Sequence, residues 1–320
     1  MRWSRDQPQP AHSGNGGWTR PVTHIRVPDS VRSVRWGRVA AVAPLAAIVL
    51  GVCVWLIFQA NQAAGKGGSE RGLVTRTEPP PADGYFRLRP VGSYSYLPGD
   101  RAAGAAVHRS TWEARPGNGV SNKVVPVHLT LSPANVADHA YDPRWNTYVL
   151  RRITGNFIGT TDEIFQWAAV KWGVPDNLIR TVAFMESGWE QSNYGDYVDN
   201  PAKCPPGYTA LPCPVTFGIV GTKSTSWPGI FPWNRDSTAA SVDSLGGWLR
   251  GCDEGWVWWL RDHGNRSRGV YAAGDIWGCV GAWFSGNWHD GAIASRGSGE
   301  GYIHRAQHWY QVHPWLRHGF

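Results

Sequence analysis

The 320-residue chain contains no Cys-x-x-Cys pair, no His-Glu-x-x-His and no Gly-x-Ser-x-Gly. The first absence removes the thiolate pairs of a structural zinc site. The second removes the ligands and base of a zinc protease, and the third the elbow of a nucleophilic serine. The Asp and Asn residues of NYGDYVDN do not follow the ligand pattern of an EF-hand loop, which disfavours calcium there. Beyond the first forty residues there is also no dense Lys/Arg run. The formal net charge of +7 therefore does not argue for nucleic acid.

Much of the positive excess sits in residues 1–38. Seven arginines (Arg2, Arg5, Arg20, Arg26, Arg32, Arg35 and Arg38) stand there against Asp6 and Asp29. With its Gly, Pro and Ser content this stretch reads as a disordered basic cytoplasmic tail. Residues 39–58, VAAVAPLAAIVLGVCVWLIF, carry no charge. As a helix they span roughly 30 Å, the thickness of a bilayer's hydrocarbon core. Pro44 lies near the start, where transmembrane helices tolerate it. Arg32, Arg35 and Arg38 flank one end, so the positive-inside rule predicts a single-pass cell-membrane protein with everything after about residue 60 outside. A cleaved signal peptide fits the 38-residue leader and the long apolar run poorly.

Of five cysteines, Cys53 falls in the apolar run and reads as a filler. Cys204, Cys213, Cys252 and Cys279 lie on the exported side, where an even number suggests two disulfides. Three connectivities exist. The favoured one joins Cys204 to Cys213, closing the loop CPPGYTALPC, and Cys252 to Cys279.

Residues 59–140 are rich in Gly, Pro, Arg and Ser and read as an extracytoplasmic stalk. Within them VVPVHLTL at 124–131 alternates Val125, Val127, Leu129 and Leu131, which suggests an edge strand weakened by Pro126. From 141 to 320 the texture is helical and rich in tryptophan, enough chain for one core and mainly α. TTDEIFQWAAVKW predicts a helix opened by a Thr160/Glu163 capping box and closed by Gly173. PDNLIRTVAFMES predicts a second, opened by Pro175. Val242, Leu245, Leu249, Cys252, Trp256 and Trp259 form an apolar stripe that predicts a third over 238–260. DIWGCVGAWF predicts a fourth, and a last helical stretch follows Tyr302. Cys252 and Cys279 fall on apolar faces of two of these helices, so their disulfide would staple them together.

In the second helix Ile179, Val182, Ala183 and Glu186 stand at i, i+3, i+4 and i+7. A carboxylate thus occupies the core stripe near the helix C-terminus. Desolvation and the negative end of the helix dipole both favour its protonated form. A glutamate holding its proton near neutral pH is what a general acid requires.

Glu186-Ser187-Gly188-Trp189 is followed by Gly218-Ile219-Val220-Gly221, then Ala282-Trp283-Phe284-Ser285-Gly286, then Tyr302. In this order the stretches resemble lytic transglycosylases and goose-type lysozymes over roughly residues 155–315. The resemblance implies a lysozyme-like helical domain behind the transmembrane helix and stalk. It implies cleavage of the β-1,4 bond between N-acetylmuramic acid and N-acetylglucosamine in peptidoglycan strands. Glu186 would be the acid and Tyr302 its neighbour. Ser187, Gly218, Ile219 and Trp283 would be substrate contacts. Trp189 and Trp227, in loops beside the motifs, are further groove candidates because indoles stack on sugars. Transglycosylation needs one carboxylate. Hydrolysis needs a second, for which Asp196 and Asp199 in NYGDYVDN are the candidates. The family's glutamine in the second motif is Gly221 here, and its asparagine in the third is Phe284. Lys223 is near enough in sequence to supply a contact in place of the glutamine. These departures keep open a non-catalytic peptidoglycan-binding or wall-assembly protein. Cell-wall or secretion machinery are the partners such an activity would serve. Glu300, His304 and His308 share a helix face, but without His-Glu-x-x-His and among aromatics they read as a packed helix. No metal or cofactor is expected.

Overall fold

Eight α-helices and one small sheet account for the regular structure in a computed structural model that describes residues 77–320 apart from 135 and 137. The basic tail at 1–38 and the apolar run at 39–58 lie outside the described residues. Among those described, no helix is long and apolar enough to cross a membrane.

The helices are α1 (Asp100–Ala105), α2 (Pro143–Tyr148), α3 (Thr161–Trp172), α4 (Asp176–Ser187), α5 (Trp233–Asp236), α6 (Thr238–Asp253), α7 (Ile276–Ser285) and α8 (Gly299–Val312). The capping box forms as the sequence predicts. Glu163 N–H donates to Thr160 Oγ1 at 3.3 Å and Thr160 N–H donates to Glu163 Oε2 at 3.0 Å. Gly173 ends α3 in the left-handed conformation, which satisfies helix-end carbonyls at little steric cost.

Helix α6 is buried along its whole length and forms the centre of the domain. Its glycines let large rings approach the backbone. A Cβ at Gly246 would stand 2.3 Å from Trp172, and one at Gly251 would stand 2.5 Å from Trp145. Asp243, in the same helix, is fully buried and accepts from Trp172 Nε1 and Lys171 Nζ, both at 2.7 Å. The helix stops at Asp253, short of the predicted 260. Gly255 adopts φ +81°, and the chain resumes as a 3-10 turn over Trp258–Arg261. Trp256 is buried all the same, so the apolar stripe continued beyond the helix that suggested it. Helix α8 starts three residues before Tyr302, capped by Ser298, whose hydroxyl accepts from Gly301 N–H.

Strands β1 (Tyr194–Val198), β2 (Cys213–Phe217) and β3 (Thr222–Lys223) make an antiparallel sheet in that order. Both favoured disulfides are formed. Cys204–Cys213 closes the far end of the β1–β2 hairpin. Cys252–Cys279 joins α6 to α7. Replacing Cys252 and Cys279 by alanine is expected to lower the unfolding free energy by about 3 kcal/mol, for a closed loop of this size. The urea midpoint measures it.

Of the stretch 59–140 read from sequence as stalk, residues 59–76 lie outside the described residues, and residues 77–140 instead belong to the folded unit. Their backbone amides are held by side chains of the helical part. Tyr85 and Phe86 N–H donate to the buried Asp176 carboxylate, Gly92 N–H to Glu254 and Ser110 N–H to Glu163. Buried amides of an irregular segment need such partners in place of a ladder. The strand expected at 124–131 does not form. Val124 accepts from the Ser237 hydroxyl, while Val127 is 76% exposed and Leu131 only 8%, so the alternating residues share no face.

Candidate active site

Helix α4 runs from the core to the sheet. Ile179, Val182 and Ala183 bury its inner face completely. Gly188 ends it with φ +62°, its N–H donating to Phe184. That end is fastened twice more. Ser187 Oγ reaches the Ile219 carbonyl at 2.7 Å, and Arg115 Nε donates to the Gly188 carbonyl at 2.8 Å. Glu186 sits on this fixed end, partly buried.

Tyr302, from the first turn of α8, donates its hydroxyl to Glu186 Oε1 at 2.5 Å. Burial, with a further push from the Asp196 charge, raises the Glu186 carboxyl to about 7, and the Tyr302 bond opposes the rise. The Tyr302 hydroxyl is held well above its ordinary value by burial and by Glu186 beside it, with Arg305 opposing. Tyr302 is therefore a permanent donor, and Glu186 exchanges its proton near neutrality.

Phe284 stacks on the Tyr302 ring at 4.4 Å with an 11° tilt. The aromatic that stands where an asparagine was expected thus covers the partner of Glu186. Trp283, its neighbour on α7, donates Nε1–H to the Val220 carbonyl and keeps part of its ring exposed. Gly221 has a similar explanation. It adopts φ +65°, and a Cβ there would stand 2.7 Å from Glu186 Oε2. The carboxyl occupies the space that a side chain at 221 would need. Gly221→Ala is expected to displace the carboxyl and to strain the backbone, lowering the unfolding free energy by roughly 1–3 kcal/mol. The shift in urea midpoint measures it.

Several residues assigned to substrate are placed otherwise. Trp189 is fully buried among Phe165, Trp315 and Phe320, its indole N–H donating to the Arg180 carbonyl. Trp227 is 7% exposed and packs near Trp145. Both are core, because a bulky apolar ring in a loop is buried when other rings surround it. Ser187, through its bond to Ile219, joins α4 to the loop after β2. Gly218 and Ile219 are buried in that loop, with Ile219 N–H donating to Gln191 Oε1. These residues shape the site's backbone and do not line it.

The two carboxylate candidates separate. Asp199 is exposed beyond the end of β1. Asp196, inside β1, accepts from Thr216 Oγ1 at 2.9 Å, lies 3.8 Å from Lys223 Nζ, and acts electrostatically on Glu186. The place of Thr216 beside Asp196 follows from the strand register.

Glu300 does not pair with His304 or His308, which are both exposed. Its carboxylate lies 2.6 Å from His289 Nδ1, while His289 Nε2 lies 2.7 Å from the Asp275 carboxylate. Asp275 caps α7, and Glu300 opens α8 two residues before Tyr302. His289 thus ties together the starts of the helices carrying Phe284 and Tyr302. The bond to Asp275, reinforced by Glu300, raises its pKa. Among the described residues no group of three or more His, Cys, Asp or Glu is arranged to hold a metal ion.

No protein-family model, curated protein or solved structure matches this chain.

Proposed function

We propose that the protein is a membrane-anchored peptidoglycan lytic transglycosylase of lysozyme-like fold, with Glu186 as general acid and base. The observation that carries this reading is the hydrogen bond from Tyr302 to a Glu186 carboxyl raised to about 7 at the end of a core helix, opposite a small sheet. Protonated Glu186 gives its proton to the glycosidic oxygen as the C1–O4 bond breaks. The resulting carboxylate takes the proton of the muramic acid O6 hydroxyl as O6 bonds to C1. The product is a 1,6-anhydro sugar, and Glu186 regains its proton. Tyr302 donates to the carboxylate throughout and steadies its charge.

Asp196 favours a second reading, hydrolysis. With Glu186 as acid and Asp196 as base, a water would attack from the opposite face of the sugar. Digesting purified sacculi with the protein, beside a Glu186→Gln control, tests both. Anhydro-muropeptides in the mass spectrum support transglycosylation, and reducing ends support hydrolysis. Identical release by both proteins removes Glu186 as the acid. Retention of the protein on sacculi with no release supports a binding or assembly role instead.

A further inference from the structure

The sheet register raises a question about Asp196. Gly195 pairs with Thr216 across β1–β2, and Thr216 pairs with Lys223 across β2–β3. Residues paired in this way project from the same face of a sheet. Thr216 and Lys223 therefore share one face. Asp196 follows Gly195 in the strand, so alternation assigns it to the other face. Its carboxylate nevertheless meets both of them through the same oxygen, Oδ2, at 2.9 Å from Thr216 Oγ1 and 3.8 Å from Lys223 Nζ.

The backbone explains how. Asp196 has φ +48° within the strand. Aspartate visits this left-handed region more readily than most residues, but a strand does not require it. Strain of this kind persists where the surrounding contacts fix it, and it gathers at functional sites. Here the turned backbone aims the carboxylate at the Thr216–Lys223 face. The Thr216 methyl on that face is 3.5 Å from the position of a Cβ on Gly221, which is itself 2.7 Å from Glu186 Oε2. Thr216 on this face thus lies near the Glu186 carboxyl, and Asp196, held beside it with Lys223, acts on Glu186 through its charge.

We propose that Lys223 is a positioning residue of this site, holding Asp196 with Thr216 in its turned conformation and offsetting its charge toward Glu186. This rests on Glu186 being the acid. Lys223 acts through Asp196 and sets the pH at which Glu186 releases its proton. Lys223 and Asp196 are 28% and 24% exposed, so the pair is partly shielded from solvent. Burial lowers the Lys223 pKa, with Asp196 opposing and Lys203 adding to the fall. Among the described residues, the charged or titratable groups acting on Glu186 are Tyr302 from α8 and Asp196 from β1. Lys223 from β3 lies beyond Asp196 with Lys203 near it, and Arg305 stands over the Tyr302 ring. From α7 come only the uncharged Trp283 and Phe284.

The sign follows from these charges. Without Lys223, the Asp196 carboxylate acts on Glu186 uncompensated, and Glu186 keeps its proton to higher pH. Lys223→Met is expected to move the alkaline limb of the kcat/KM profile upward by a few tenths of a pH unit, on the order of the push Asp196 itself exerts. Lys223→Arg restores the position of the limb. In an Asp196→Asn background Lys223→Met moves it little, because the charge it offsets is gone. Where Asp196→Asn turns over too slowly, the carbon-13 shift of the Glu186 carboxyl follows the same titration without catalysis. An ordinary surface ion pair contributes little to stability and leaves the Glu186 titration where it is. An unmoved titration in Lys223→Met overturns the proposal. Turnover that survives in Glu186→Gln overturns instead the reading on which it rests.

Discussion

Exchanging Glu186 for glutamine is expected to reduce glycan-strand cleavage by about 10²–10⁴-fold, the contribution of a positioned acid and base. Glutamine keeps the shape and can still accept from Tyr302, so the loss falls on kcat. In the parent protein activity should decline above about pH 7 as the Glu186 proton leaves. The same substitution has a stability signature of opposite direction. The folded state holds the Glu186 proton more tightly than the unfolded chain, whose ordinary value is 4.5. Stability contributed by the protonated carboxyl is fully present below pH 4.5 and is lost as pH rises through about 7. The cost at pH 8 is on the order of 3 kcal/mol. Glu186→Gln escapes it. Urea unfolding of the two proteins should therefore diverge at pH 8, with the inactive variant the more stable, and converge near pH 4. Equal stability at both values would mean that the carboxyl is not held in its protonated form.

Deleting residues 77–140 is expected to prevent folding of what remains. Asp176 is fully buried and shares its oxygens between Arg180 and the amides of Tyr85 and Phe86. Glu254 loses its bond from Gly92, and Glu163 its bond from Ser110. Each buried acceptor left short of a donor costs roughly 1–3 kcal/mol, more when charged. Three such losses together are comparable with the roughly 5–15 kcal/mol that holds an ordinary domain. The segment also reaches the site. Asn118 donates to the Trp189 carbonyl and accepts from Gln191 N–H, in the chain between α4 and β1. A 141–320 fragment should show no cooperative thermal transition. A fragment that unfolds cooperatively would contradict this account.

How far the sequence reveals these features depends on the distance of their partners. The capping box of α3 and the glycine ending α4 are local, and both are legible. The disulfides follow from spacing together with helix faces. Trp189 and Trp227 were misplaced because their burial depends on rings far along the chain. Apart from the misleading alternation at 124–131, the 77–140 segment has no periodicity to announce it, since carboxylates many residues away hold its amides in place of a repeating ladder. The choice of Asp196 over Asp199 needed the register and a φ value, which no spacing reveals. Gly221 looked like a defect in a motif until the position of Glu186 Oε2 showed why a side chain is excluded there.

The folding of residues 77–140 against the helices also fixes how far the site can travel. Had 59–140 been a free tether, fully stretched chain would allow about 290 Å of reach. The described fold begins at residue 77, so the chain from 59 to 76 can span at most about 65 Å. On the proposed anchoring at 39–58 and the proposed activity, Glu186 would reach only glycan strands within that length and one domain of the bilayer, and strands farther out would stay intact however abundant the protein is.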